Sequence, residues 1–281
     1  MTKKYSYNWV FLFSMSIVTF TTDYGNRDYR VAIAKAQLLN WAPTAMIIDI
    51  ATSVTHFDTI EAVYLLRSCW KSFPMGTVHI LGVKSYLKHD PLVVIKDNQF
   101  FIGTDNGILS MIFDESPDEI WKLDLPMSEH DYEFPLGHLF VQAAAHFVRG
   151  GSPAMIARKT DQMDWIQFPM AQMENGGIRC NVIHIDDYGN MILNFNKEMF
   201  QESIGKRGFT IHARSAQKSG MRSIMDSFLP EGMADGIPFA VWGANDYLVV
   251  AMRNTSVQNG GGAARMLGYQ KMSSIFIEIH D

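Results

Sequence analysis

The sequence predicts an α/β fold in two domains: an N-terminal α/β domain with a mostly parallel sheet, then a smaller, mostly β domain. In the first half, short β-branched runs alternate with helical patterns, which is typical of βαβ units. From about Ile178 onward, short apolar runs are separated by Gly, Asn, Asp and Pro. A chain of 281 residues is long enough for two domains, which we place at 15–177 and 178–281.

Alternating elements open the first domain. Strands are predicted at 17–22, 45–50 and 77–83, and helices at 28–41 and 58–70. Asp97-Asn98 is the predicted turn of a hairpin spanning 92–103. A further helix at 139–149 ends at the pair Gly150-Gly151. In the second domain, the glycine-rich residues 258–262 are predicted to form a loop.

Residues 1–14 are predicted to be an N-terminal appendage. Lys3 and Lys4, followed by apolar residues 9–13, imitate a signal peptide, but no small-residue cleavage site follows. The apolar run leads directly into the first predicted strand, and Met15 is an alternative start. No other stretch reaches the ~18 to 20 apolar residues that a membrane span requires, so no membrane partner is expected.

Charge and cysteine content limit the kinds of partner. The formal net charge is −5, which gives no reason to expect nucleic acid as a partner, because phosphates demand a clustered basic face. We therefore expect a small-molecule ligand. The two cysteines, Cys69 and Cys180, lie far apart in the sequence and suit a reducing compartment, so a cytoplasmic protein is expected.

Asp23 follows the first strand within the motif Thr21-Thr22-Asp23-Tyr24-Gly25. Ligands of open α/β sheets bind at this rim, outside the carboxyl ends of the strands. A carboxylate there can accept two hydrogen bonds from the vicinal diol of a ribose. For a lone aspartate in this place, a turn cap is the favoured interpretation.

Three further segments accompany Asp23, each with a plain structural alternative. Phe57-Asp58 stands at a helix entrance, where Asp58 would serve as an N-cap. Residues 103–107 (GTDNG) and 185–190 (IDDYGN) would form tight turns, and for each of the three segments taken singly the structural interpretation is favoured. Their order and spacing, rather than any one of them, are informative.

In that order, these segments resemble the family of adenosine-forming S-adenosylmethionine (SAM) hydrolases, whose relatives include the fluorinase and the chlorinase. That family carries a TDFG-like motif after its first strand, a GPDNG-like turn, an FGN motif and a GNAAxxLG-like segment. The matching segments here are 22–25, 103–107, 188–190 and 262–268.

The resemblance implies an N-terminal α/β domain, a C-terminal β-barrel-like domain and a homotrimer with its ligand between subunits. It also implies binding of SAM or a related adenosine ligand, with hydrolysis of SAM to adenosine and methionine. By position, Asp23 holds the ribose hydroxyls, Phe57 packs against the ligand, and Asp186 takes the methionine amino group. Tyr188 and Asn190 line the adenine side. No cofactor and no metal are expected, because the adenosine compound is itself the substrate or ligand.

The chain departs from the family at three positions that handle the attacking water. Lys84 and Pro91 replace the aspartate and the arginine of a DPGVGxxR-like motif, and Pro135 replaces the histidine of an HGRDxF-like motif. Most of the catalytic task lies in orienting and activating the nucleophile, because methionine leaves as a neutral thioether. Proline side chains supply neither function.

His89, Asp90 and His138 are candidate substitutes near the vacated positions. Two hypotheses follow: an enzyme that hydrolyses SAM with an altered set of residues, or a catalytically degenerate nucleoside-binding protein with a sensing or structural role. The losses at three positions favour the second hypothesis. A third reading is a different nucleoside chemistry, in which the basic loop of Lys84, Lys88 and His89 meets a phosphate or carboxylate.

Overall fold

A computed structural model describes residues 17–214 and 220–280. The predicted appendage at 1–14 lies outside these residues. The chain forms two compact units, one ending at Gln167 and the other beginning at Phe168. This division precedes the predicted boundary at 177, because residues 172–174 already pair with a strand of the second unit.

The first unit is built on a seven-stranded sheet. Its strands in chain order are β1 (Ile17–Thr22), β2 (Met46–Ala51), β3 (Val78–Gly82), β4 (Pro91–Lys96), β5 (Gln99–Thr104), β6 (Glu119–Leu123) and β7 (Ala157–Thr160). The spatial order is β2-β1-β3-β5-β4-β6-β7. The first four strands in this order are parallel, and β4, β6 and β7 add antiparallel pairs. The predicted parallel sheet is therefore one half of a mixed sheet.

The described part of this unit contains the helices α1 (Tyr29–Trp41), α2 (Thr59–Arg67), α3 (Glu129–Glu133) and α4 (Leu139–Val148). Helices α1 and α2 each have an aspartate as N-cap. The Asp28 carboxylate accepts the backbone N–H of Arg30 at 2.8 Å, and the Asp58 carboxylate accepts that of Glu61 at 2.9 Å. Helix α2 ends before the predicted residue 70 and is followed by a short 3-10 turn.

The core of the first unit lies between the sheet and helices α1 and α4. Its buried side chains include Val18, Phe20, Leu38, Ile80, Ile102, Leu139 and Phe140. Phe100 of β5 stacks on Phe147 of α4 with ring centroids 4.5 Å apart. Burial of this apolar area fixes α4 against the parallel strands and so fixes the loop that precedes α4.

The second unit contains an eight-stranded, mainly antiparallel sheet that curls into a half-barrel. Its elements are β8 (Gln172–Glu174), β9 (Gly177–Ile185), β10 (Met191–Asn196), α5 (Lys197–Ser203), β11 (Gly208–His212), β12 (Ile224–Met225), β13 (Pro238–Trp242), β14 (Tyr247–Met252), α6 (Gly262–Leu267) and β15 (Ser274–His280). The order is β11-β15-β9-β10-β14-β13-β12, with β8 on the side of β9. The prediction of a β-barrel-like second domain is confirmed.

Candidate ligand site

Asp23 lies at the centre of the carboxyl edge of the parallel strands. The residue follows β1 directly and is 7% exposed. Its carboxylate oxygen Oδ2 accepts the backbone N–H of Phe57 at 2.9 Å and that of Lys84 at 3.3 Å. The other oxygen, Oδ1, receives no hydrogen bond from the residues that the structure describes. One side of the carboxylate therefore organises the protein, and the other is available to a ligand.

Both residues that donate to Asp23 have left-handed backbones. The φ angle of Phe57 is 64° and that of Lys84 is 49°. Residues with a Cβ adopt this region at a cost of about 1 to 2 kcal/mol each. Such strain persists only where surrounding contacts enforce it, and it is concentrated at functional sites. The hydrogen bonds to Asp23 are contacts of this kind.

The end of β2 joins the same edge. Val54 N–H donates to the carbonyl of Thr22 at 3.1 Å, and Gly25 N–H donates to that of Thr52 at 2.7 Å. The imidazole Nδ1 of His56 lies 2.7 Å from the carbonyl oxygen of Asp23. The segment leading to Phe57 is thus tied to the Asp23 turn at several points.

The loop after β3 is held from two sides. Asn106 Nδ2 donates to the carbonyl of Lys84 at 2.9 Å, which joins the 103–107 turn to this loop. Ser85 is buried and shares a hydrogen bond with the hydroxyl of Tyr24. Burial raises the pKa of Tyr24 above its ordinary value, and the bond to Ser85 opposes that rise.

Two aromatic side chains project beside Asp23. Phe57 is 56% exposed and Tyr86 is 44% exposed, and their ring centroids are 6.1 Å apart. The predicted contact residue Phe57 therefore lies at this edge. Tyr86 was not predicted, and the one sequence signal for it is its place inside the segment that departs from the family motif.

The three replaced positions lie just after β3, at the start of β4 and in the turn before α4. Lys84 is exposed, Pro91 is buried at the start of β4, and Pro135 opens a buried 3-10 turn. That turn packs on the sheet, since a Cβ added to Gly82 would lie 3.2 Å from Leu136 Cδ2. The structure therefore places a hydrogen-bonding side chain at only the first of these three positions.

The candidate substitutes have partners of their own. His138 Nδ1 lies 3.4 Å from Oδ1 of the buried Asp131, and its ring lies 5.4 Å from that of Trp41. His89 Nδ1 lies 4.0 Å from the carboxylate of Asp164. Asp90 accepts a hydrogen bond from Lys122 Nζ at 2.6 Å. His89 and Asp90 therefore each lie beside a partner residue within the first unit.

Asp90 and Lys122 line a cavity of ≈ 430 Å³ together with Asp105, Asp164 and Trp165. Burial raises the pKa of Asp105, while the N–H of Asp164, 2.8 Å away, opposes the rise. No group of three or more His, Cys, Asp or Glu side chains in residues 17–214 and 220–280 has an arrangement suited to a metal ion.

In the second unit, Asp186 closes the turn that carries Tyr188 and Asn190. Its Oδ1 accepts the N–H of Tyr188 at 3.0 Å and that of Asn190 at 2.8 Å, and its Oδ2 accepts Asn190 Nδ2 at 2.9 Å. Asn190 is buried, whereas Tyr188 is exposed. Asp186 and Asn190 are therefore engaged with each other, and Tyr188 presents its ring to solvent.

This turn is packed against the start of α6. A Cβ added to Gly189 would lie 2.8 Å from Gly262 Cα and 3.1 Å from the carbonyl oxygen of Gly261. The N–H of Ala264 donates to the carbonyl of Gly189 at 2.9 Å. The segments 188–190 and 262–268, which are far apart in sequence, form one structural piece.

Both units match family descriptions. The SAM hydroxide adenosyltransferase N-terminal domain matches residues 18–157, and its C-terminal domain matches residues 180–276. Among the helices of the described ranges, none combines the length and apolar character needed to cross a bilayer.

Relatives named (R)-S-adenosyl-L-methionine hydrolase share modest identity with this chain. The protein from Methanocaldococcus jannaschii is 24% identical over 219 residues, which are 75% of this chain and 78% of the relative. The protein from Thermus thermophilus is 27% identical over 190 residues, which are 63% of this chain and 74% of the relative.

Solved structures show the same fold. An uncharacterized conserved protein from Thermotoga maritima has a TM-score of 0.77 at 21% identity, covering 94% of this chain and 99% of that one. A conserved hypothetical protein from Thermus thermophilus has a TM-score of 0.70 at 21% identity, covering 95% and 100%. With both domain descriptions matched in order over most of its length, the chain belongs to the SAM hydroxide adenosyltransferase family.

Proposed function

We propose that this chain binds the adenosine part of SAM or of a related nucleoside, with Asp23 holding the ribose hydroxyls. The arrangement of the Asp23 carboxylate is the observation that carries this proposal. Oδ2 is held by two backbone N–H groups, at 2.9 and 3.3 Å, so the orientation of Oδ1 is fixed before a ligand arrives. A preoriented acceptor at the carboxyl edge of parallel strands suits a diol.

The relatives named SAM hydrolases support the choice of an adenosine compound. In such a hydrolysis, water forms a bond to the ribose C5′ carbon, the C5′–S bond breaks, and methionine departs as a neutral thioether. The water must be oriented and must lose a proton. Pro91 and Pro135 stand where the resemblance implies an arginine and a histidine, which favours slow or absent turnover.

The second candidate function is therefore a nucleoside-binding protein without efficient catalysis. The same pair of prolines favours it, because binding through Asp23 does not require the groups that they replace.

By the family resemblance we also propose a homotrimer, in which Asp186, Tyr188 and Asn190 of the second unit complete the ligand contacts. Light scattering tests this assembly: a stable monomer at micromolar concentration would contradict it.

Calorimetric titration of adenosine and SAM into native protein and Asp23→Asn tests the proposed site. The amide oxygen of the introduced side chain still accepts the two backbone N–H groups, but the negative charge is lost. We expect adenosine affinity to fall about 10- to 150-fold, which corresponds to the ~1.5 to 3 kcal/mol of hydrogen bonds to a charged group.

Asp118→Asn is the matched control. Asp118 also accepts a backbone N–H, that of Asp97 at 2.9 Å, but beside the β4–β5 hairpin turn. We expect native affinity in this variant. Unchanged affinity in Asp23→Asn would remove Asp23 from the site, and absence of binding of either compound to native protein would reject the proposed function.

A further inference from the structure

The side chains of Phe57 and Tyr86 form an exposed aromatic pair on the two segments whose backbone N–H groups hold the buried Asp23 carboxylate. Large aromatic side chains are normally buried for most of their area, yet these two leave 56% and 44% of theirs exposed. Their rings are tilted by 36° with centroids 6.1 Å apart. An exposed apolar surface rimmed by polar groups is typical of a binding site.

The backbone beneath each ring is fixed by the same network that holds Asp23. Phe57 donates its own N–H to Asp23 Oδ2. The loop that carries Tyr86 is anchored at the N–H of Lys84, at the carbonyl of Lys84 and at the side chain of Ser85. Rings on a preorganised backbone lose little further freedom when a ligand binds, so their contacts contribute more to affinity.

The spacing of the two rings limits how they contact a planar ligand. Stacking on both faces of a base requires about 7 to 8 Å between flanking rings, because each carbon–carbon contact spans ~3.5 to 4.0 Å. The observed separation of 6.1 Å is smaller. A base therefore cannot enter between the rings as they stand, and the pair offers a joint outer surface instead.

We infer that Tyr86 is a base-contacting residue of this site, which together with Phe57 forms a stacking surface selective for purines. The inference rests on the proposed function, in which Asp23 holds the ribose of the same ligand. A two-ring purine covers more of a surface built from two adjacent rings than a single-ring pyrimidine does, so it gains more from Tyr86. Tyr86 lies in the segment that departs from the family motif. We therefore do not expect this contact in relatives that keep the motif.

The test uses full-length protein and three probes: adenosine, uridine and a base-free methyl riboside, with riboside binding followed by ligand-observed NMR. In Tyr86→Ala we expect adenosine affinity to fall roughly 5- to 150-fold, the range for loss of one base–aromatic stack. Uridine affinity should fall less, and riboside binding should stay at the native level. Tyr86→Phe should keep native affinity for adenosine, whereas Tyr86→Leu should show an intermediate loss.

Trp165→Ala is the control, because Trp165 is also an exposed aromatic residue but lines the acidic cavity. Thermal unfolding of each variant checks that the fold is kept. If Tyr86→Ala binds adenosine as native protein does while Asp23→Asn does not, the role of Tyr86 is refuted and the proposed function stands. If riboside binding falls as much as adenosine binding, Tyr86 acts on the loop rather than on the base, which also overturns the inference. If native protein binds no nucleoside, the proposed function fails and this inference fails with it.

Discussion

The backbone N–H of Lys84 lies 3.3 Å from Asp23 Oδ2, with Lys84 in the left-handed region at φ 49°. The hydrogen bond uses the backbone alone, so glycine can make it without strain. We expect Lys84→Gly to exceed Lys84→Ala in free energy of unfolding by about 1 kcal/mol. Chemical denaturation measures the difference. At Lys88, whose φ is negative, the order should be reversed. The same order at both positions would show that Lys84 carries no strain.

Charge at position 84 should affect ligand choice. SAM carries a positive sulfonium, and an ammonium near it lowers affinity relative to neutral adenosine. Two like charges ~5 Å apart at an effective dielectric of ~20 repel by about 3 kcal/mol. The side chain of Lys84 is exposed, so solvent and salt reduce this to about 1 kcal/mol.

We therefore expect Lys84→Asp to shift the affinity ratio of SAM to adenosine at least about fivefold toward SAM. Titration of both ligands against native and variant protein at low and high salt measures the ratio. Lys88→Asp, in the same loop, is the control for a general change in charge. If the ratio does not move, the ammonium of Lys84 lies away from the sulfonium.

Hydrolysis of SAM should be slow. We expect turnover well below ~1 per second, the lower end of the ordinary enzyme range, because Pro91 and Pro135 cannot orient or deprotonate water. Chromatography of adenosine released from SAM measures the rate. His138→Gln should leave the rate unchanged, because His138 lies against Trp41 and Asp131. Rapid turnover that is lost in His138→Gln would identify His138 as a working replacement.

Local patterns were sufficient to predict much of the parallel half of the first sheet and the N-cap at Asp58. The cap at Asp28 was not predicted, because the helix was expected to begin at that residue. The hairpin at Asp97-Asn98 was also predicted, and both residues have the positive φ that such a turn requires. The antiparallel additions of β6 and β7 could not be predicted, because strand order depends on tertiary pairing. The same is true of β8, which has three exposed residues and no apolar pattern.

The candidate site likewise contains some features that the sequence predicts and others that depend on tertiary contacts. Motif order was enough to single out Asp23, Phe57 and the 185–190 turn. The left-handed backbones of Phe57 and Lys84 could not be predicted, because neither is a residue that favours that region. They depend on hydrogen bonds to Asp23, from 34 and 61 positions away in sequence. The exposure of Tyr86 follows from that loop geometry and was missed for the same reason.

His79 should make stability depend on pH. It is fully buried in β3, with Nδ1 2.7 Å from Thr19 Oγ1 and Nε2 2.8 Å from Gln99 Oε1. Burial lowers the pKa of His79 to about 4 from an ordinary 6.5, and the bond to Gln99 opposes this. Between these pH values the unfolded chain takes up a proton that the folded chain does not. Stability is therefore complete above pH ~6.5 and falls as pH drops toward ~4.

The loss expected from His79 is about 3 kcal/mol across that window. Chemical denaturation of native protein and His79→Gln at several pH values isolates it, since other groups contribute equally to both. We expect the variant to be less stable at pH ~7, because the side-chain contacts change, but to lose less stability on acidification. Parallel pH profiles would show that His79 does not titrate differently in the folded state.

The contact between the 188–190 turn and α6 predicts a large difference between two glycine substitutions in the second unit. Gly189 and Gly236 have similar left-handed backbones, with φ of 76° and 74°. A Cβ on Gly236 meets nothing within 4 Å, whereas one on Gly189 meets backbone atoms at 2.8 and 3.1 Å. Gly236→Ala should cost about 1 kcal/mol for the backbone conformation alone. Gly189→Ala should cost a further ~1 to 3 kcal/mol, because the turn and the start of α6 must move apart.

Chemical denaturation compares the stability of the Gly189→Ala and Gly236→Ala variants. Adenosine titration should show weaker binding in Gly189→Ala if the turn contributes Tyr188 to the ligand site. Equal losses of stability in both variants would mean that the turn and helix separate freely, and that the two segments do not act as one piece.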